Sequence, residues 1–236
     1  MDDFDVYRQD MASYYDQACR LAYLFDPQEL AREYDAVYQT DGSWMRDLAL
    51  AMQDLVRAKR VLEIAAGHGR WTRYLSESAR FVVATDASDG MLDQARQLVR
   101  AGRRLPKKRC AFLAIDAFAI DQIPGEFECA VSVNFFQHVP TARQAIFLEV
   151  LQRKLGAGRD VLIAVNRLKR QTRNRMYQKP GEADWFDLRC LSDGSVHEIV
   201  DNPFDENRMR ELLEDRATDV QVTRGTKFDW ITYRTN

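Results

Sequence analysis

A regular alternation of short β-rich runs and longer helical segments begins at residue 60 and constrains the fold more than any other feature of the sequence. Apolar strands of this kind need a helix on either face to bury them. Helical crossovers between such strands are right-handed and leave the strands parallel. The sequence therefore predicts an α/β fold with a doubly wound sheet, whose strands contain the runs RVLEIA (60–65), RFVVATD (80–86), CAFLAID (110–116), FECAVSVNFF (127–136) and RDVLIAVN (159–166).

The domain organisation follows from this core. The chain has 236 residues, 46% of them hydrophobic, which suits one domain with additions. We expect a single domain over residues 1–236. Its parts are a helical lead-in (1–57), a core (58–167), a small insertion after the fifth strand (168–203), and a last helix with a terminal hairpin (204–236). The insertion is rich in polar and turn residues and offers only short strands, such as FDLRCL and VHEIV.

The composition argues against several classes of partner. With 34 basic and 36 acidic side chains the net charge is −2, so no global field attracts nucleic acid or an anionic membrane. The four cysteines form no CxxC pair, and the three histidines have no zinc-ligand spacing. The beginning of the chain lacks the pattern of a secretory signal, and no apolar run is long enough to span a bilayer. We expect a cytoplasmic monomer or homodimer without a metal.

The stretch VLEIAAGHGRWT (61–72) is the leading candidate for a ligand-binding turn. In an open parallel sheet, ligands bind where strands turn into helices, and Gly67 and Gly69 let the backbone turn tightly and approach a ligand. The helix that begins near Arg70 offers free N–H groups at its positive end. An ordinary structural turn with two glycines remains the alternative. Asp86 lies 19 residues after Gly67, near the spacing at which a carboxylate binds both ribose hydroxyls. Asp116, at the end of the next run, would accept an adenine amino proton or cap a helix.

These residues resemble the first motif of the class I S-adenosylmethionine-dependent methyltransferases, an acidic residue followed by three alternating glycines. Glu63-Ile-Ala65-Ala-Gly67-His-Gly69 matches three of its four positions, and Ala65 stands where the first glycine is usual. The resemblance covers about residues 55–166 and the terminal hairpin. It implies a seven-stranded, Rossmann-like sheet, mostly parallel with a reversed last strand, and S-adenosylmethionine as cofactor, with S-adenosylhomocysteine as product. The implied cofactor-binding residues are Glu63, Ala65, Gly67, Gly69, Asp86, Ala87, Met91, Asp116, Ala117, Phe118 and Asn134.

Two other functions compete with methyl transfer. A nicotinamide-dependent dehydrogenase also uses a glycine turn and a ribose acid, but its third glycine would fall on Thr72, and it requires no acid at Glu63. A binding protein without turnover would keep the fold, although a degenerate site would be free to lose Glu63, Asp86 and Asp116. Thermal-shift measurements with S-adenosylmethionine, S-adenosylhomocysteine and NAD show which cofactor is bound.

The acceptor is expected to be a small molecule, methylated on oxygen, nitrogen or sulfur. His138 follows strand four beside the expected cofactor methyl, and its ordinary pKa suits a general base, although such a histidine is not always one. Aromatic residues of the lead-in, together with aromatic and cationic residues of the insertion, would line the acceptor pocket. The alternative is that these residues belong to the core and to the surface. Arginines beside them favour an anionic or polar acceptor. The candidate acceptor-binding residues are Tyr14, Tyr15, Trp44, Phe136, His138, Arg167, Tyr177, Arg189 and His197.

Overall fold

The structure is a computed structural model and describes residues 3–20, 45–101, 109–167 and 176–236. Trp44 and the basic residues Lys169, Arg170, Arg173 and Arg175 of the insertion lie outside the described residues.

A seven-stranded sheet forms the centre of the fold, in the order β3-β2-β1-β4-β5-β10-β9. The first five strands are parallel, and β10 runs antiparallel between β5 and β9. The predicted doubly wound sheet with a reversed last strand is therefore confirmed. The strands are β1 (Arg60–Ile64), β2 (Phe81–Asp86), β3 (Cys110–Ala114), β4 (Cys129–Val133), β5 (Asp160–Asn166), β9 (Ala217–Arg224) and β10 (Phe228–Thr235).

Helices cover both faces of the sheet because successive residues of each buried strand point to opposite sides. Val61 faces a core shared with α2 and α3, whereas Leu62 faces one shared with α5 and α6. In the described part of the chain, no helix is both long and apolar enough to span a membrane. The α-helices are α1 (Asp3–Arg20), α2 (Arg46–Leu55), α3 (Arg70–Ser78), α4 (Asp89–Ala101), α5 (Gln144–Leu155) and α6 (Glu206–Leu213).

The insertion forms a small antiparallel sheet of its own, in the order β6-β7-β8, which we call the cap sheet. Its strands are β6 (Met176–Gln178), β7 (Trp185–Cys190) and β8 (Val196–Val200). Helix α1 packs on this sheet through Tyr14 and Ala18, which share a small core with Leu191 and Ile199. Hydrogen bonds from Asn202 to the carbonyl of Val139 and to Asp184 tie the base of the cap sheet to the segment after β4.

Candidate active site

A cavity of about 340 Å³ lies at the carboxyl edge of the parallel strands. Its floor is formed by the turns after β1 to β4, helix α1 covers it, and Arg189 reaches it from the cap sheet. This is the edge at which open parallel sheets bind ligands. Of the eleven residues that the sequence proposed for a cofactor, nine line this cavity: Ala65, Gly67, Asp86, Ala87, Met91, Asp116, Ala117, Phe118 and Asn134.

The glycine turn takes a left-handed backbone at three positions, with φ of +53° at Ala65, +57° at Gly67 and +79° at Gly69. A Cβ on Gly69 would lie 2.9 Å from the Cβ of Ala95, so glycine is needed there for α4 to pack against the turn. Ala65 holds a conformation that costs an L-residue about 1 kcal/mol or more. The turn therefore keeps its shape despite the alanine at the first glycine position, and at that position it carries strain.

Asp86 connects the glycine turn to the start of α4. One carboxylate oxygen accepts a hydrogen bond from the Gly67 N–H at 2.8 Å, and the other accepts one from the Ser88 N–H at 2.9 Å. Burial raises the pKa of this carboxyl above its ordinary value. Asp86 thus stands between two successive turns of the cavity floor, where a ligand hydroxyl would meet its oxygens.

Asp116 caps a short helical turn and also lines the cavity. Its Oδ1 accepts a hydrogen bond from the Phe118 N–H at 2.7 Å and so caps the 3₁₀ turn Ala117–Gln122. Its Oδ2 lies 3.1 Å from Nη1 of Arg8, on the helix that covers the cavity. The helix cap is therefore present, and the carboxylate also lines the cavity.

Glu63 and Gly69 are not among the described residues that line the cavity, and both support its floor from behind. The Glu63 side chain is 3% exposed on the central strand β1. Burial, together with the neighbouring charge of Asp86, raises the pKa of Glu63 to about 8. His68 in the same turn is also buried, and burial and the charge of Arg70 lower its pKa to about 3. Both side chains are therefore neutral at pH 7.

His138 lies in the 3₁₀ turn Phe136–His138 after β4 and lines the cavity. Its Nδ1 is 2.6 Å from the carbonyl oxygen of Val200, which accepts only, so Nδ1 carries the proton. The Tyr7 hydroxyl donates to the backbone carbonyl of His138 at 2.9 Å. Burial lowers the pKa of the imidazole. The ring is therefore neutral near pH 7 and keeps the lone pair of Nε2, as a proton acceptor requires.

The proposed acceptor-binding residues divide into two groups. Tyr15, His138 and Arg189 line the cavity. Five others do not line it and have different surroundings in this structure. Tyr14 is fully buried between α1 and the cap sheet, and Phe136 packs on Phe147 at 6.0 Å between ring centroids.

The remaining three of these five lie toward the surface. Arg167 pairs with Asp229 and donates to the carbonyl of Gly225. Tyr177 donates to Glu198 on the outer face of the cap sheet. His197 packs against the Tyr14 ring at 5.1 Å. Each is therefore committed to a contact outside the cavity.

Arg189 brings a positive charge to the cavity together with two negative ones. Its Nε donates to Asp187 at 3.2 Å, and its Nη2 donates to Asp201 at 3.3 Å. Both carboxylates are buried. The guanidinium is thus held in place by the cap sheet, and its charge is already balanced there.

Several lining residues escaped the sequence reasoning. Phe4, Tyr7, Arg8 and Met11 form with Tyr15 a stripe along α1, a spacing of three or four residues that a helical-face reading of residues 3–20 would have found. Gln137 and Asn166 also line the cavity, and no sequence signal singles out these two amides. Across the described ranges, no group of three or more acidic, histidine or cysteine side chains forms a metal site.

Part of the chain is similar to a known domain family. Residues 61–158, less than half of the chain, match the family model described as a methyltransferase domain. No curated protein sequence matches the chain.

Among solved structures, the DhpI–SAH complex is 24% identical, with 98% of this chain and 97% of that chain covered and a TM-score of 0.67. The 1,6-didemethyltoxoflavin-N1-methyltransferase of Burkholderia thailandensis, solved with 1,6-didemethyltoxoflavin and S-adenosylhomocysteine, is 21% identical, with 90% and 92% covered and a TM-score of 0.54. The magnesium protoporphyrin IX methyltransferase of Synechocystis, solved with SAM, is 13% identical, with 100% and 98% covered and a TM-score of 0.59. The fold that the resemblance to class I S-adenosylmethionine-dependent methyltransferases implied is confirmed, and residues 61–158 match a methyltransferase domain.

Proposed function

We propose that this methyltransferase domain transfers the methyl group of S-adenosylmethionine to a small molecule held in the cavity beneath α1. The observation that carries the proposal is the position of Asp86, which bridges the left-handed turn and the start of α4 on the floor of the cavity. A carboxylate in this position binds ribose hydroxyls. Solved proteins of this fold contain SAM or S-adenosylhomocysteine, which supports the same cofactor here.

The cavity suits such a cofactor along its whole floor. Gly67, Asp86 and Ala87 would hold the ribose, and Asp116 with Phe118 would hold the adenine. Asn134, at φ +60° after β4, has a buried Oδ1 without a hydrogen-bond partner among the described residues, and it would accept from the amino group of the methionine end. Glu63 and Gly69 would act indirectly, by shaping the turn from behind.

S-adenosylmethionine supplies a methyl carbon on a sulfonium sulfur, which keeps the bonding electron pair and leaves as a neutral thioether when an acceptor lone pair displaces it. The chain has to orient the acceptor, exclude water and take up the proton that the acceptor loses. His138 is suited to the last task because its Nδ1–H is fixed on Val200 and its Nε2 lone pair is available at neutral pH. Helix α1 and the cap sheet exclude water.

The acceptor's charge stays a prediction. The sequence favoured an anionic or polar acceptor because of its arginines, and Arg189 alone of the described insertion cations lines the cavity. An anionic group would have to compete there with Asp187 and Asp201. The cytoplasmic location, the absence of a nucleic-acid partner and a monomeric or homodimeric state also stay predictions.

The test compares cofactors by titration calorimetry and thermal shift. We expect S-adenosylmethionine and S-adenosylhomocysteine to bind and to raise the melting temperature, whereas NAD does neither. Replacing Asp86 by Ala should weaken S-adenosylhomocysteine binding by about 1.5 to 3 kcal/mol, the value of hydrogen bonds to a charged group. Asp93→Ala, on the exposed surface of α4, is the matched control.

Two results would contradict the proposal: NAD binding in preference to S-adenosylhomocysteine, or unchanged affinity in a folded Asp86→Ala variant. Transfer of a radiolabelled methyl group to a panel of metabolites then separates an enzyme from a binding protein without turnover.

A further inference from the structure

Three amide residues that line the cavity carry side-chain carbonyl oxygens without a hydrogen-bond donor among the described residues. Oδ1 of Asn134, Oε1 of Gln137 and Oδ1 of Asn166 are buried, and none has a hydrogen-bond partner among the described residues. A buried acceptor left unpaired is costly, so native structures rarely keep one unless a ligand or water completes it. The proposed cofactor accounts for Asn134. The side-chain oxygens of Gln137 and Asn166 still lack a proposed hydrogen-bond donor.

Gln137 is the more informative of these two because its orientation is fixed. Its Nε2 donates at 3.1 Å to Oδ1 of Asp201, and a carboxylate can only accept. The other oxygen of Asp201 is held by Arg189. This chain of contacts turns the amide so that Oε1 is the atom without a donor, on a residue that is only 7% exposed.

Asn166 lies beside this turn, at the carboxyl end of β5, which contacts the 3₁₀ turn containing Gln137. The neighbouring His138 adds the lone pair of Nε2, because its Nδ1–H is occupied by Val200. The residues that line this part of the cavity therefore carry unpaired hydrogen-bond acceptors. Arg189, which contacts Asp201 beside Gln137, is balanced by Asp187 and Asp201.

We propose that Gln137 and Asn166 select an acceptor that presents a neutral O–H or N–H group, and that they accept its hydrogen bonds. A carboxylate, phosphate or thioether acceptor has no proton for these oxygens and would leave them unpaired. The inference rests on the proposed function and deepens it, because it narrows the acceptor from any small molecule to a hydroxyl or amine compound. The role of Arg189 is then to position Asp201 and, through it, Gln137.

Simple aromatic probes test the inference, since Trp71, Tyr15 and Phe135 give the cavity flat apolar walls. Binding of phenol, aniline, anisole, N,N-dimethylaniline and benzoate to the full chain saturated with S-adenosylhomocysteine is measured by ligand-observed NMR. We expect phenol to bind about three- to tenfold more tightly than anisole, and aniline more tightly than N,N-dimethylaniline by a similar factor, as one hydrogen bond allows. Benzoate should bind more weakly than phenol.

Variants assign the preference to the two amides. Gln137→Met and Asn166→Leu should each bring the phenol-to-anisole ratio toward one. Asn166→Asp keeps oxygen acceptors at the same place and should preserve the phenol-to-anisole ratio. If Gln137→Met fails to fold, the comparison of Asn166→Asp with Asn166→Leu still tests the inference. Gln178→Met makes the same chemical change on the exposed strand β6 and should behave like the unmodified protein.

Three outcomes overturn the inference: benzoate binding more tightly than phenol, no difference among the five probes (including no binding by any), or ratios that persist in both Gln137→Met and Asn166→Leu. The calorimetric titration with S-adenosylhomocysteine is done first and tests the proposed function by itself. If it fails while the probes still discriminate in the cofactor-free protein, the methyltransferase proposal is wrong and the selection of O–H or N–H groups stands.

Discussion

Glu63 should make the stability of the protein depend on pH in an unusual direction. Its carboxyl lies in the central strand β1 between β2 and β4, and its Oε2 has no hydrogen-bond partner among the described residues. Burial, with repulsion from Asp86, raises its pKa to about 8 in the folded protein. In the unfolded chain the pKa returns to its ordinary value of 4.5. Between these two values the folded state holds a proton that the unfolded state has lost.

The direction of this pH dependence follows from the linkage between proton binding and folding. Where the folded state binds more protons than the unfolded state, the free energy of unfolding falls as pH rises. At about 1.4 kcal/mol per pKa unit, the difference between 4.5 and about 8 corresponds to about 5 kcal/mol. A glutamine is neutral in both states, so Glu63→Gln removes this loss. Below pH 4.5, we expect the free energies of unfolding of the variant and the unmodified protein to differ by a constant amount. By pH 8, the free energy of unfolding of the variant should have risen by about 5 kcal/mol relative to that of the unmodified protein.

The measurement is a series of urea unfolding curves from pH 4.5 to pH 8.5, followed by circular dichroism without cofactor. Other shifted groups that do not interact with Glu63, such as His68, are present in both proteins, so their contributions largely cancel in the difference. Glu149→Gln, on the exposed side of α5, is the control and should show no such dependence. A difference between Glu63→Gln and the unmodified protein that stays within about 1 kcal/mol of constant across this range refutes the reasoning.

Further predictions concern His138, the glycine turn and the start of α4. Replacing His138 by Gln should lower turnover by about 10²- to 10⁴-fold and leave calorimetric S-adenosylhomocysteine affinity unchanged. Because burial lowers the pKa of His138, the activity of the unmodified enzyme should decline on the acid side only below about pH 6.5. Ala65→Gly should raise the free energy of unfolding by about 0.5 kcal/mol. Glycine relieves the strain of the left-handed backbone, and the greater conformational freedom of the unfolded chain offsets part of this gain. Asp16 accepts hydrogen bonds from Ser88 and from the Gly90 N–H at the start of α4, so Asp16→Ala should cost about 0.5 to 2 kcal/mol in urea unfolding.

The order of helices and strands could be predicted because buried parallel strands appear in the sequence as apolar runs. The run RDVLIAVN, for example, became β5 (Asp160–Asn166), with its five central residues fully buried. The strand β6 (Met176–Gln178) was not predicted. It has no apolar periodicity, and its pairing with β7 depends on contacts made only in the folded chain.

The floor of the site could be predicted for the same reason, since it is encoded locally. Glycines in one turn and single acids at the ends of β2 and β3 are fixed by spacing along the chain. The roof could not, because it depends on how α1 docks. Tyr7 and Arg8 reach the cavity through contacts with residues more than 100 positions away, His138 and Asp116. Such pairings leave no spacing pattern in a single sequence.

Arg189 shows why the acceptor's chemistry could not be predicted from charged residues. In the sequence it is an arginine near other arginines, and this favoured an anionic or polar acceptor. In the fold, β7 and the segment after β8 bring Asp187 and Asp201 to its guanidinium, so the charge is balanced before any ligand arrives. What the cavity then offers depends on Gln137, whose amide is turned by Asp201. The hydrogen-bonding character of a cavity wall thus depends on how its side chains are oriented by their neighbours. A neutral glutamine that is oriented by an ion pair can determine which acceptor molecule binds more directly than the arginine of that ion pair.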